Sequence, residues 1–205
     1  MIKRLALCCF AFATPAGAHP HVFVDVALRI EARAGGVTGV EVTWSYDAFY
    51  SLLLFEDMGL DSDADGKLTP SEEARLQGFD LNWDAGFKGD LEAYVAGSEV
   101  ALGRPEARGA RVVDGRIETT HFRALAAPAA KVDFKSFDPT FYVAYDLAGR
   151  ATAPATCAVA ITPADLDRAY TLVEEALYKD PPKDDDSYPE VGAAFADLVA
   201  VTCTP

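Results

Sequence analysis

The chain has 205 residues, with 32 acidic against 18 basic side chains and a formal net charge of −14 at pH 7. Hydrophobic residues make up 50% of it, enough for one domain with a sizeable core that carries an insertion. The negative balance excludes nucleic acid and anionic membrane surfaces as natural partners and makes cations natural ones, although an acidic surface also serves solubility.

Residues 1–18 read as a signal peptide. Lys3 and Arg4 form its positive start, Leu5 to Ala13 its apolar stretch, and Ala16-Gly17-Ala18 its small-residue cleavage site. The apolar stretch is too short to cross a bilayer. Cleavage after Ala18 yields a periplasmic chain that begins at His19 and forms a single α+β domain over 19–205. In that oxidising compartment Cys157 and Cys203, the two cysteines beyond the leader, are expected to form a disulfide; two free thiols at a metal are the alternative.

Val22 to Ile30 alternates as a strand, Gly35-Gly36 marks a turn, and Val37 to Tyr46 reads as the returning strand. An insertion at about 48–86 follows. It opens with a helix over Ala48 to Leu60, apolar enough to be either buried or amphipathic. Residues 61–72 then read Asp-Ser-Asp-Ala-Asp-Gly-Lys-Leu-Thr-Pro-Ser-Glu, the spacing of an EF-hand calcium loop. Calcium takes six to eight oxygens, and the positions that supply them hold Asp61, Asp63, Asp65, the Lys67 carbonyl, Thr69 and Glu72, with Gly66 where the chain must turn sharply. A second helix starts inside the loop, with Thr69 as cap and Pro70 in the first turn. The loop is solitary, which favours a structural calcium clip over a calcium switch.

Hairpins are expected over Phe87 to Leu102 and over Ala110 to Phe122 around Asp114-Gly115, followed by strands at Lys131 to Phe134 and Thr140 to Leu147. The contexts of Cys157 and Cys203 are strand-like. A late helix opens at Thr162-Pro163-Ala164-Asp165 and carries Leu166, Ala169, Tyr170, Val173 and Leu177 on one face, and the acidic stretch 179–186 is a solvated loop. The fold class is α+β: a mostly antiparallel β core with an inserted EF-hand-like helix-loop-helix and a late helix.

Two of the three histidines, His19 and His21, open the cleaved chain. His19 offers its imidazole and an α-amine, and His21 adds a third nitrogen, while Pro20 lacks the amide proton that a square-planar amino-terminal chelate needs. If the Ala110 to Phe122 hairpin lies beside the first strand, His121 joins them, and three imidazoles suit zinc, nickel, cobalt or copper. The opposing reading is a hydrogen-bonded core His121 and a loose chain end. Asp25 and Asp47 are candidate carboxylate partners.

His19-Pro20-His21-Val22-Phe23-Val24-Asp25, Val42-Thr43-Trp44-Ser45-Tyr46-Asp47, the acidic glycine loop, Thr120-His121-Phe122-Arg123 and Phe137-Asp138-Pro139 together resemble the domain of unknown function 1007 family. The resemblance implies a periplasmic component of an uncharacterised ABC-type transport system, often found with nickel, cobalt or zinc transporters. It brings no catalytic residues. The leading expectation is a periplasmic protein with calcium in its EF-hand loop and a transition metal at its mature N-terminus, serving a membrane metal transporter. The alternative is a calcium-stabilised interaction module with no transition-metal role. Enzymatic activity is not expected: no Ser-His-Asp, Cys-His or phosphate-binding glycine motif is evident, and a copper oxidase built on an N-terminal histidine brace is the least favoured reading.

Overall fold

The computed structural model describes residues 20–183 and 187–204. The signal-peptide reading of 1–18 and the ligand reading of His19 lie outside the described residues.

Alternation builds the first sheet. In β1 (Val22–Arg33) the even-numbered Val22, Val24, Val26, Leu28 and Ile30 are buried, because successive strand side chains point to opposite faces. β1 pairs antiparallel with β2 (Gly36–Tyr46), and β2 with β6 (Arg116–Ala129), which closes a hairpin with β5 (Glu106–Val113). Asp114 and Gly115 both take positive φ, 50° and 76°, the pair that a two-residue hairpin turn requires. On its other side β1 runs parallel to β8 (Val143–Asp146) and to the short β9 (Ala151–Thr152).

The second sheet has the order β10 (Cys157–Thr162), β11 (Leu198–Cys203), β7 (Lys131–Ser136), β3 (Leu91–Val95) and β4 (Ser98–Val100), all antiparallel. Phe134, Ala93, Val199 and Val201 from this sheet share one buried cluster with Val24, Leu28 and Val40 from the first. The β core is mostly antiparallel with helices inserted and appended, so the α+β class stands. The Cys157–Cys203 disulfide is present and joins register partners on β10 and β11.

The structure settles what the sequence leaves open about the three α-helices. α1 (Ala48–Met58) buries only Ser51 and Phe55 and leaves Phe49, Leu52 and Leu53 at 70%, 61% and 45% exposure, so its apolar run is not a core helix. α2 (Pro70–Arg75) stops after six residues, and the chain continues to β3 mainly as turns. α3 (Leu166–Lys179) is capped by Asp165, which accepts from the Arg168 N–H, rather than by Thr162; of its apolar face only Ala169 is buried.

Candidate functional sites

The acidic loop lies between α1 and α2, and both of its ends are fixed. Gly59 terminates α1 in the left-handed conformation, with φ 57°, and the Arg75 guanidinium of α2 donates to the carbonyls of Met58 and Gly59. Leu60 and Leu76 are buried on either side, and Leu68 packs against the same core. Thr69 and Glu72 form a capping box: the Thr69 hydroxyl accepts from the Glu72 N–H, and Glu72 Oε2 accepts from the Thr69 N–H at 2.8 Å.

Within this frame the carboxylates of Asp61, Asp63 and Asp65 converge, with one oxygen from each inside a 4.8 Å span. Asp61 Oδ1 accepts from the Asp65 N–H at 3.0 Å and Oδ2 from the Gly66 N–H at 3.1 Å; Asp65 Oδ1 accepts from the Lys67 N–H at 2.9 Å. Glu72 closes the ring, its Oε1 accepting from the Asp61 N–H at 3.1 Å. These backbone donors hold the Glu72 carboxyl below the ordinary carboxylate range, the Thr69 bonds contributing most. The loop therefore gathers anionic oxygens from positions 1, 3 and 5 and returns position 12 to position 1. Those are hard oxygen donors, the chemistry that calcium takes. Thr69 spends its hydroxyl on the α2 cap and on Glu72.

His21 and His121 do not form one site. His121 on β6 lies beside Val42 of β2, which pairs with Leu28 of β1. His21 precedes Leu28 by seven residues, which at strand spacing puts the two histidines about 25 Å apart. Alternation also sends them to opposite faces of the sheet: His121 is fully buried, whereas His21 is exposed and its ring lies 4.7 Å from that of Tyr142. A shared His21/His121 metal site is thereby corrected. The candidate carboxylate partners are engaged elsewhere. Asp25 lies between Arg116 and Arg150, at 2.8 Å and 3.2 Å. Burial raises its carboxyl, but the two guanidinium groups together bring it below its ordinary value. Asp47 caps α1 through the Tyr50 N–H and also accepts from the Phe23 N–H.

His121 instead belongs to a polar cluster inside the molecule. Thr119, His121 and Arg123 face inward from β6 and are roofed by the turns between α2 and β3. The His121 ring sits edge-on to Trp44 at 4.7 Å and to Trp83 at 5.6 Å, and neither ring nitrogen has a hydrogen-bond partner among the described residues. Burial, reinforced by the Arg123 charge, lowers its pKa to about 3, so the ring is neutral at physiological pH. Arg123 stacks over Trp83 at 4.7 Å and donates to the carbonyls of Gly103 and Lys88. Asp80 Oδ2 accepts from the hydroxyls of Tyr46 and Thr119 at 3.0 and 2.6 Å, while its buried Oδ1 has no partner among the described residues. Burial pushes the Asp80 carboxyl up. Asp80, Trp83 and Arg123 carry no spacing signal of their own, because the roofing segment is irregular and its partners lie on distant strands.

Gly89 permits that close packing. It has φ +70°, and a Cβ there would meet Trp83 at 2.3 Å and Arg123 Nη1 at 2.7 Å. Gly89→Ala is expected to cost about 2–3 kcal/mol, combining left-handed strain with overpacking, and urea unfolding reads that loss directly.

Comparison with known proteins agrees with the resemblance in the sequence. The family described as "Protein of unknown function (DUF1007)" matches residues 4–203, and the chain belongs to it. No curated protein matches, and no solved structure matches.

Proposed function

For this member of a family without an assigned activity, we propose a calcium-binding module of the periplasm, in which one ion held by residues 61–72 fixes the segment that joins α1 to α2. The observation that carries this reading is the convergence of Asp61, Asp63 and Asp65 within 4.8 Å in a loop that Glu72 closes. Asp61, Asp63, Asp65 and Glu72 would hold the ion, with the Lys67 carbonyl and the Thr69 position completing the set. A filled site neutralises carboxylates that otherwise repel one another, so calcium acts as a clip. The disulfide and the leader-like residues 1–18 support export to an oxidising compartment.

Transition-metal binding, as a further part of the proposal, narrows to His19 and His21, because His121 is enclosed between two tryptophans. A role beside a membrane metal transporter is supported by the family resemblance. The interaction-module reading is supported by the exposed Phe49, Leu52 and Leu53 on the helix that enters the loop.

Thermal unfolding tests the clip. Calcium at a hundredfold excess over Kd adds about 2.7 kcal/mol, a Tm rise of about 5–10 °C for a chain of this size. Asp61→Asn/Asp65→Asn is expected to remove the rise while leaving the calcium-free Tm within a few degrees. An equal rise in the variant would overturn the assignment to this loop.

A further inference from the structure

Far from the acidic loop, a groove of about 310 Å³ opens where the start of the described chain, β8 and the first turn of α3 meet. Its walls are aromatic. Phe141 and Phe195 stack with centroids 3.8 Å apart and planes 10° from parallel, and Tyr170 stands edge-on to Phe195 at 5.1 Å. Phe23 and Leu166 also line it, and with Tyr170 they are exposed at 55%, 52% and 56%. Three of the large apolar side chains that face solvent therefore surround one concavity rather than being scattered singly.

Among the described residues the charged lining has one sign: Asp146 and Asp197 border the groove, and no described Lys, Arg or His lines it. Asp197 is held in place by accepting from the Ala164 N–H at 3.0 Å, just before α3 begins. Among the described residues Arg150 is the nearby cation, and its guanidinium is committed to Asp25 and to the carbonyls of Val26 and Asp146. The pocket thus joins aromatic faces, whose quadrupoles attract cations, to two carboxylates in a chain of net charge −14. An anion would be repelled, and a neutral apolar body would leave the carboxylates uncompensated.

We propose that this groove binds a small organic cation, an alkyl- or arylammonium compound, with its apolar body against Phe141, Phe195 and Tyr170 and its charge held by Asp146 and Asp197. The volume is at the lower end of the range for small-molecule pockets. The inference is independent of calcium, since no residue of 61–72 lines the groove.

Calorimetric titration with three probes of similar size and different charge tests it: benzyltrimethylammonium, benzyl alcohol and benzoate. The expected order is saturable 1:1 binding of the cation, at least tenfold weaker binding of the alcohol, and none of the anion. Asp146→Asn is expected to weaken the cation about fivefold and to leave the alcohol unchanged, and Tyr170→Ala to weaken both. Both positions are exposed, so unfolding curves should match the parent. Equal affinity for cation and alcohol, absence of saturable cation binding, or unchanged cation affinity in Asp146→Asn/Asp197→Asn would each overturn the proposal.

Discussion

Replacing Cys157 and Cys203 by alanine is expected to cost about 4 kcal/mol of folding free energy, the loop-closure entropy of the 46-residue sequence separation. The mechanism acts mainly on the unfolded chain. In the folded protein β10 and β11 pair at six register positions from Cys157↔Cys203 to Thr162↔Leu198, and β11 also pairs with β7, so the ladder persists without the bond. Without the cross-link the denatured ensemble gains the freedom of a closed loop, and stability falls although few native contacts change. Denaturant unfolding of the wild-type and doubly substituted proteins measures the difference. A loss below about 1 kcal/mol would contradict the account.

A second large effect concerns acid. His121 is fully buried and Asp90 half-buried, and loss of solvent moves the two titratable groups in opposite directions. His121 falls from 6.5 to about 3, so its contribution is complete above pH 6.5 and is lost as pH falls toward 3. Asp90 rises from 3.8 to about 7, chiefly by burial, with the charge of Asp138 adding to it and the hydrogen bond from the Tyr145 hydroxyl opposing it. Its contribution is complete below pH 3.8 and is lost as pH rises through 7. Between pH 6.5 and 4 the two nearly cancel in the wild-type chain. Relative to wild type, Asp90→Asn is expected to lose about 3 kcal/mol across that interval and His121→Leu to gain about 3 kcal/mol. Asp90 lines a cleft of about 450 Å³ and can exchange its proton there in the folded state. Urea titrations at pH 4, 5 and 6.5 would expose the divergence, and three parallel profiles would contradict it.

What was legible in the sequence was periodic or punctuated. The alternation of Val22 to Ile30, the Asp114-Gly115 turn and the strand contexts of both cysteines each carry their own local signal, and the structure follows them. The acidic loop was equally plain, because its ligand types recur at fixed spacing over twelve residues. The pairing of strands into two facing sheets was not legible, since nothing local says that β1 will run parallel to β8 more than a hundred residues later. His121 shows the same limit at the level of a site. Its residue type suggested a ligand, whereas its environment, two tryptophan rings and no carboxylate partner, is assembled from β2 and the irregular turns before β3. For α1 the composition leaves a buried and an amphipathic helix equally open, and packing decides: the sheet accepts only Ser51 and Phe55, with Ser51 Oγ taking the Ile117 N–H at 2.9 Å.

If residues 61–72 hold one calcium ion, isothermal titration of calcium into chelator-treated protein detects it. One ion per chain is the predicted stoichiometry, with the heat abolished in Asp61→Asn/Asp65→Asn and retained in Asp146→Asn. Absence of saturable binding, or undiminished binding in the Asp61/Asp65 variant, would contradict it.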